Sequence, residues 1–314
     1  METTRYTPEF RGNGSEFFGI WIVNLVLTVL TLGIYSAWAK VRTERYMYAN
    51  TRLAGAPFEY LADPIRILKG RLIAYAVLIV FVVAAKLQQF WIVVPIYLAL
   101  LVLFPYLIHL SLRFRARYSA WRGLRFGFDG RPGQAYTAFM LYPLVAAVTM
   151  YLMVPWMVKE QQAYTVKNHH FGGKRFEFGG ALGVYYKPFL IALGIGFAIF
   201  FVMIIGIFGI AFVGAAAAGG DSGGDPAKHM GVMASVLTFS FIVVLYAGML
   251  ALGVYVRTSF INLRWNNTSL GEHRFESTLD WKQMIWIYLS NGLGILVTLG
   301  LAVPWAQVRM LRYR

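Results

Sequence analysis

A short pattern recurs along this chain at fixed spacing, and it restricts the possible folds more than any other feature. The pattern is a tryptophan, an asparagine twelve residues later, and a Phe-Glu pair that begins eight residues after the asparagine. The copies are Trp38, Asn50 and Phe58-Glu59; Trp156, Asn168 and Phe176-Glu177; and a shorter one, Asn267 and Phe275-Glu276. Repeats at constant spacing indicate that one structural unit has been duplicated, so the fold is expected to consist of copies.

The register extends upstream of the tryptophans when Trp305 is added to the alignment. A threonine lies seven residues before each tryptophan, and a polar or aromatic residue lies fourteen before it. The threonines are Thr31, Thr149 and Thr298, and the earlier residues are Asn24, Tyr142 and Asn291. The three apolar segments that end at these tryptophans are therefore expected to be copies of one another.

Composition identifies a multi-pass membrane protein. Of the 314 residues, 58% are hydrophobic and only 14% are charged, whereas soluble domains contain about 25% charged residues. Apolar runs of about 20 residues are long enough to cross a hydrocarbon core as helices. Seven such segments are predicted: 17–38, 72–92, 92–112, 136–157, 188–213, 230–256 and 284–305. The first sixteen residues lack the basic region of a signal peptide, so the first segment is expected to stay in the membrane.

The predicted fold class is a polytopic α-helical membrane protein built of repeated units. Each unit contains a broken or re-entrant apolar helix, an amphipathic surface helix and a β-hairpin, and the units alternate with pairs of transmembrane helices. The units are placed at 1–130, 131–280 and 281–314. The last is partial, because the chain stops at Arg314 before a further hairpin; either this unit is abbreviated or a C-terminal piece is absent.

Glycine and aromatic residues predict where the hairpins turn. Gly172-Gly173 lies between aromatic flanks, which is typical of a β-hairpin. Four hairpins of this kind are expected to associate into a small sheet outside the bilayer, because a lone hairpin is marginally stable in water. Residues 213–229, rich in glycine and alanine, are predicted to form a flexible loop.

The distribution of basic residues leaves two topologies open. If all seven segments cross the membrane, the 29 Lys and Arg residues divide into 17 and 12; if the tryptophan-ending segments enter and leave on one side, they divide into 27 and 2. The second division agrees better with the excess of Lys and Arg in cytoplasmic loops. The first would produce an inverted-topology repeat, as found in many secondary transporters.

Two stretches resemble a known family. They are Gly33 to Arg42 with Asn50-Thr51 and Gly55 to Glu59, and Val303 to Arg309 with Arg312-Tyr313. These motifs are similar to those of the bacterial YjgN family, inner-membrane proteins with a domain of unknown function. The resemblance implies a location in the bacterial inner membrane, and it implies neither an activity nor catalytic residues.

Residue chemistry gives no support to catalysis. No carboxylate lies within an apolar segment, although proton-coupled pumps usually place one there. The chain has no cysteine, and it lacks a nucleophile elbow, a P-loop and a zinc-binding HExxH motif. We therefore expect no enzymatic activity, no catalytic residue, no cofactor and no metal. The net charge of +15 is explained by cytoplasmic loops rather than by nucleic-acid binding.

Two groups of residues are candidate sites. The first is the polar set within the apolar segments, which either lines a substrate path or forms hydrogen bonds between helices: Asn24, Thr31, Thr149, Asn291 and Thr298. The second is a basic set predicted to contact the headgroups of anionic phospholipids: Lys40, Arg42, Arg45, Arg309 and Arg312.

The first group favours transport of a small solute or lipid-like molecule, or a channel. The alternative is a membrane scaffold or envelope factor whose hairpins bind anionic lipid or a protein partner. Substrate and oligomeric state are left open.

Overall fold

The computed structural model describes residues 5–219 and 225–314, and it is mostly helical. The strands in this part of the chain are β1 (Glu9–Phe10), β2 (Thr51–Leu53), β3 (Ala56–Tyr60), β4 (Ser119–Trp121), β5 (Leu124–Phe128), β6 (His169–Phe171), β7 (Lys174–Phe178), β8 (Thr268–Leu270) and β9 (His273–Arg274). The helices are α1 (Gly14–Leu30), α2 (Ser36–Asn50), α3 (Pro64–Lys86), α4 (Phe90–Arg117), α5 (Pro132–Tyr136), α6 (Tyr142–Val148), α7 (Val154–Lys167), α8 (Leu182–Gly219), α9 (Asp225–Asn266), α10 (Trp281–Val297) and α11 (Val303–Tyr313). A π-helical segment, Thr137–Leu141, joins α5 to α6.

The chain forms two compact units. One unit contains the described residues up to Gly179, together with Asn267–Phe275 and Ile287–Arg314. The other contains Gly180–Asn266 and Glu276–Trp286. All the strands belong to the first unit, whereas α8 and α9 belong to the second.

The strands of the first unit form one antiparallel sheet in chain order, from β1 to β9. Tight turns join β2 to β3, β4 to β5, β6 to β7 and β8 to β9, whereas helices connect the other neighbouring strands. In an antiparallel pair, the end of one strand and the start of the next lie at the same end of the sheet. Every helical connection therefore leaves and re-enters the sheet at one end, and every tight turn lies at the other.

Positive backbone angles explain the tight turns. In the β6–β7 turn, Gly172 and Gly173 have φ of +55° and +81°. In the β4–β5 turn, Arg122 and Gly123 have φ of +49° and +75°. Two successive positive φ angles match the twist of the flanking strands, which is why glycine recurs at these points.

Among the described residues, four helices are long and apolar enough to cross a membrane: Pro64–Lys86, Phe90–Arg117, and the stretches Leu182–Phe212 and Ser235–Asn266 of α8 and α9. The helices begin before the predicted apolar segments because helical hydrogen bonding continues into polar ends. For example, α3 begins at Pro64, eight residues before the predicted start at 72, where Asp63 caps it by accepting a hydrogen bond from Ile65 N (3.0 Å); it ends at Lys86, six residues before the predicted end at 92.

The predicted loop at 213–229 is shorter than expected, because α8 continues to Gly219 and α9 begins at Asp225. Alanine has the highest intrinsic helix propensity, which accounts for the extension of α8 through 215–218. Residues 220–224 of the predicted loop lie outside the described residues.

The other three predicted apolar segments, 17–38, 136–157 and 284–305, each bend back on themselves. In each, a rising helical leg of 17 residues is followed by a five-residue reverse turn and a returning helix. The rising legs are Gly14–Leu30, 132–148 and Trp281–Val297; the returning helices are α2, α7 and α11. Trp38, Trp156 and Trp305 are each the third residue of a returning helix, so they lie close to the turns.

Small buried clusters hold the ends of the helices to the sheet. One cluster contains Phe17, Tyr46 and Val308, and so joins α1 and α2 to α11. In a second cluster, Phe128 of β5 and Tyr164 of α7 pack with alanines of α4 and α5. The core of the first unit therefore lies where the helical legs meet the sheet.

Candidate functional site

The three reverse turns are the regions where the predicted polar residues meet unusual backbone geometry. We name them turn A (residues 31–35), turn B (149–153) and turn C (298–302). Each begins with one of the aligned threonines. They are described first by their backbone, then by their side chains.

Each rising leg ends with the same pair of backbone hydrogen bonds. In turn A, Gly33 N donates to Thr28 O (2.8 Å) and Leu32 N donates to Val29 O (3.1 Å). The corresponding bonds in the other turns are Tyr151 N to Ala146 O (2.7 Å) and Met150 N to Ala147 O (3.0 Å), and Gly300 N to Ile295 O (2.7 Å) and Leu299 N to Leu296 O (3.2 Å). This is the Schellman arrangement of a helix C-terminus.

The aligned threonines close these turns with their side chains. Thr31 Oγ1 donates to Leu27 O (2.7 Å) and accepts a hydrogen bond from Tyr35 N (2.9 Å). Thr298 Oγ1 does the same with Gly294 O (2.7 Å) and Ala302 N (3.0 Å). Thr149 Oγ1 lies 3.0 Å from Val145 O and from Ala146 O. The structure thus gives each hydroxyl a partner in its own rising leg, and in turns A and C a second partner within the turn.

Asn24 and Asn291 connect the two legs of their hairpins. Asn24 Nδ2 lies 3.4 Å from Ala39 O, and Asn291 Nδ2 donates to Ala306 O (3.2 Å), fifteen residues later in both cases. At the same place in the second hairpin, the ring of Tyr142 packs against Trp156 at 4.4 Å. Asn24 is 5% exposed, and its Oδ1 has no hydrogen-bond partner in the part of the chain that the structure describes.

The residues at the tips of the turns were not among the candidates predicted from sequence. Leu32, Met150 and Leu299 have φ of +49°, +50° and +50°, a left-handed conformation that glycine usually occupies at this position. Their exposed fractions are 93%, 84% and 94%. One sequence signal for these tips was present, since Thr-Leu-Gly occurs at both 31–33 and 298–300. A leucine within an apolar run, however, cannot be distinguished from its apolar neighbours by residue type.

The predicted headgroup-binding residues divide into two kinds. Lys40 forms an ion pair with Glu44 (2.5 Å), Arg309 donates to Ser290 Oγ (2.8 Å), and Arg312 donates to Gly12 O (2.8 Å). Arg42 and Arg45, in contrast, are exposed on α2 and have no hydrogen bond or ion pair with another described residue. These two guanidinium groups are available to an external anion.

The residues of the repeated motif lie where α2 and α7 reach the sheet and along the sheet itself. Asn50 Nδ2 donates to Tyr46 O (2.9 Å), and Asn168 Nδ2 donates to Tyr164 O (2.7 Å), so both cap the ends of returning helices. Backbone bonds of 2.8–3.0 Å then continue the strand pairing: Arg11 N to Asn50 O, Leu61 N to Tyr118 O, Asp129 N to Asn168 O, and Gly179 N to Asn267 O.

The phenylalanines of the motif pack with neighbouring residues of the sheet. Phe58 pairs with Trp121 (6.2 Å between ring centres), and Phe176 lies 6.0 Å from Phe275. The exposed acids Glu59 and Glu177 follow them; Glu177 accepts a hydrogen bond from Ser269 Oγ (3.5 Å). Glu276, next to Phe275, belongs to the second compact unit.

Buried tyrosines brace the junction of helices and sheet. Tyr164 Oη lies 3.1 Å from His109 Nδ1, and burial raises the pKa of Tyr164 to about 12. Burial, followed by the charge of Glu44, also raises the pKa of Tyr60 to about 12. These phenols remain protonated over the physiological range and act as structural groups.

Comparison with known proteins identifies a family and no function. Residues 5–314 match the family described as "Bacterial protein of unknown function (DUF898)". Three relatives carry the name "Inner membrane protein YjgN". The protein of Escherichia coli O157:H7 is 24% identical over 288 residues, which cover 89% of this chain and 54% of the relative.

The relatives from Salmonella typhimurium and Escherichia coli strain K12 match over shorter stretches. They are 28% and 32% identical over 149 and 156 residues, each covering 48% of this chain and 38% of the relative. The chain thus spans about half or less of the length of the curated relatives it matches. No solved structure matches it.

Proposed function

Because this chain belongs to the DUF898 family, whose curated relatives are inner membrane proteins, we propose that it is a non-enzymatic platform that binds anionic phospholipids on the cytoplasmic face of the bacterial inner membrane. Its place as a multi-pass protein of that membrane is shown by the relatives and by the four long apolar helices. The lipid-binding role is the proposal.

The topology of the sheet is the observation that carries it. Every helical connection between the described strands leaves and returns at one end of the sheet; if the sheet lies on one side of the membrane, each connection crosses an even number of times or not at all. This supports the arrangement with tryptophan-ending segments that re-enter. In that proposed arrangement, 27 of the 29 basic residues lie on the side of the sheet, and the positive-inside rule assigns that side to the cytoplasm.

The same topology supports internal duplication. In the proposed scheme, the unit is a strand, a helical excursion and a returning strand, rather than the larger divisions expected from sequence. The four equivalent backbone bonds that follow the excursions, and the three rising legs of 17 residues, are the features that favour this scheme.

Arg42 and Arg45 are the residues proposed to hold the lipid. Both are exposed, and α2 carries them a turn or two away from Trp38 and the apolar end of its hairpin. A basic side chain near an anionic bilayer surface contributes about 1 kcal/mol of attraction. Removing both is therefore expected to weaken the binding of an anionic lipid by about 30-fold.

Lipid retention tests the proposal. Wild-type protein and the variant Arg42→Gln/Arg45→Gln are purified in detergent, exchanged with phosphatidylglycerol or phosphatidylcholine, and analysed by native mass spectrometry. The control is Arg125→Gln/Lys174→Gln, which removes the same charge from exposed positions on β5 and β7. Selective loss of phosphatidylglycerol in the first variant supports the proposal. Equal retention in both variants contradicts it.

Transport is the second candidate, and one observation favours it. The buried Oδ1 of Asn24 lies within an apolar hairpin and receives no hydrogen bond from any described residue, which leaves it free to contact water or a solute. The other polar residues of this set form hydrogen bonds within the turns and legs of their own hairpins or between those legs, so they give transport less support. Solute flux in proteoliposomes that is abolished by Asn24→Leu, at unchanged protein content, would favour transport over the platform.

A further inference from the structure

We propose that turns A, B and C insert directly among the acyl chains of a single leaflet, so that the protein acts as a wedge and concentrates in strongly curved membrane. The partner is the hydrocarbon of the cytoplasmic leaflet. This inference goes beyond headgroup binding, because it depends on the tips of the turns and not on Arg42 or Arg45.

The backbone of the turns is suited to hydrocarbon. From Thr31 to Ser36, each N–H donates to an acceptor within the turn or its leg, and the same is true from Thr298 to Val303. In turn B, hydrogen bonds are made by the N–H groups of residues 149–152 and 154. Irregular backbone is normally excluded from contact with lipid because its polar groups lack partners. In turns A and C the threonine hydroxyl provides a partner for the N–H that a simple turn would leave open.

The side chains of the turns are apolar and exposed. The residues concerned are Leu30, Leu32 and Ile34; Val148, Met150 and Leu152; and Val297, Leu299 and Leu301. Leucine or methionine occupies the left-handed position in all three turns, although glycine would fit there without strain. Three exposed apolar tips on one protein are a feature of a surface that contacts lipid.

Contacts with α3 show that turn A is shallower than the spanning helices. A Cβ added at Gly33 would lie 3.9 Å from Tyr75 Oη, and Arg71 donates a hydrogen bond to Ser36 Oγ. Tyr75 precedes the end of α3 at Lys86 by eleven residues, or about 17 Å of helix. Since the hydrocarbon core is about 30 Å thick, turn A ends within the half nearer to the sheet.

Occupying one leaflet only is what makes an inserted element a wedge. The first rising leg and turn A add area on the side of the sheet, whereas α3, against which turn A lies, continues beyond it. Apolar elements inserted into one leaflet bind membranes in a curvature-sensitive manner. They prefer membrane in which the leaflet that contains them is on the convex side. The preferred surface is convex on the side of the sheet.

The first experiment measures the depth of the tips. The chain has no cysteine, so single cysteines at Leu32 and Leu299 can carry an environment-sensitive fluorophore in proteoliposomes of neutral lipid. Val80, which is exposed on α3, is the lipid-facing control, and Arg122, in a tight turn, is the aqueous control. Quenching of Leu32 and Leu299 by lipids brominated on the acyl chain supports insertion. Quenching by aqueous iodide alone overturns it.

The second experiment measures sorting into curved membrane. Wild-type protein in giant vesicles of neutral lipid is expected to be enriched about twofold or more in thin tubes that expose the sheet side on their convex surface. The variant Leu32→Gly/Met150→Gly/Leu299→Gly removes the apolar tips while leaving a residue that tolerates the left-handed backbone, so its folding is not in question.

The glycine variant is expected to distribute evenly between tube and vesicle. Leu78→Gly/Val80→Gly/Val83→Gly, at exposed positions of α3, is the control for general loss of hydrophobicity and should still be sorted. Enrichment of the tip variant equal to that of wild type would refute the wedge. Because only neutral lipid is used, the result does not depend on whether anionic headgroups bind.

Discussion

At the scale of single residues, the aligned threonines and buried tyrosines stabilise the points where the chain changes direction. Thr31 bonds both the end of α1 and the start of α2, whereas Tyr60 occupies the end of β3 nearest the helices. These side chains contribute hydrogen bonds and buried surface, and substitutions can change one without the other.

Replacing Thr31 with valine removes the acceptor for Tyr35 N and keeps the shape of the side chain. We expect the free energy of unfolding to fall by about 1–3 kcal/mol, because a backbone N–H is left without a partner. Thermal unfolding in detergent measures the loss, and Thr31→Ser should restore most of it. Thr137→Val is the control, since that hydroxyl only donates to Gly133 O; an equal loss there would contradict the proposed role.

Tyr60 predicts a dependence of stability on alkaline pH. Its pKa is raised to about 12 in the folded protein from an ordinary value of 10.0, mainly by burial. Above pH 10 the unfolded state loses this proton more readily than the folded state, so stability falls as pH rises towards 12. Between pH 9 and 11, the midpoint of thermal unfolding should fall less steeply with pH in Tyr60→Phe than in wild type. Parallel pH profiles would show that Tyr60 does not contribute.

At the scale of elements, the reverse turn is a part of the fold that the sequence did not describe. Asn24 and Asn291 lie inside the unbroken helices α1 and α10, and the chain reverses only from Thr31 and Thr298, seven residues later. The left-handed Leu299 could not be identified, since leucine has no preference for that conformation. It follows from the backbone hydrogen bonds of the turn, which depend on both legs of the hairpin.

Leu299→Gly is expected to stabilise the protein in detergent. A left-handed conformation costs a residue with a Cβ about 1–2 kcal/mol, and glycine avoids this cost. The midpoint of thermal unfolding should therefore rise. Leu301→Gly provides the contrast, because Leu301 lies in the same turn without a positive φ, and glycine there should lower the midpoint.

At the scale of the whole molecule, the first helix packs against the last. Trp305 of α11 stacks on Phe18 of α1 (5.0 Å between ring centres), and a Cβ at Gly14 would lie only 2.3 Å from Trp305 Cδ1. Arg312 also donates to Gly12 O. Contacts between residues almost three hundred positions apart thus join the beginning of the sheet to the fifth helical excursion.

Gly14→Ala is expected to destabilise this contact, because the new methyl group displaces the indole of Trp305. The reduction should be about 1–3 kcal/mol, as for other cases of overpacking. In Gly14→Ala/Trp305→Leu the smaller side chain leaves room for the methyl group. A double-mutant cycle on thermal unfolding should therefore give a coupling energy of at least about 0.5 kcal/mol, and strict additivity would contradict the packing.

Membrane topology can be tested over the whole chain with single cysteines. Arg122→Cys and Glu272→Cys lie in tight turns of the sheet, and both should react with an impermeant thiol reagent only from the cytoplasmic side. Gln88→Cys, in the turn between α3 and α4, should react only from the periplasm. Labelling of Arg122 and Glu272 from opposite sides would exclude the proposed arrangement.

The sequence was sufficient for the class of protein and its membrane, because hydropathy can be recognised within single segments. It was not sufficient for the pairing of the strands. The pairing of Phe58 with Trp121, or of Phe126 with Phe171, joins strands that are separated by long helices, so no local pattern records it. The basic site was likewise only partly predictable, because the partners of Lys40, Arg309 and Arg312 depend on the fold.

The return of each helical connection between strands to the same end of the sheet has a consequence for how such proteins can evolve. In most multi-pass proteins, the gain of one transmembrane helix inverts everything that follows it. Here one strand-to-strand unit contributes an even number of crossings, two for α3 with α4 and none for α1 with α2 under the proposed topology. Whole units can therefore be gained or lost without reorienting the rest of the chain, and natural variants of this architecture should differ in length by such units while keeping their orientation.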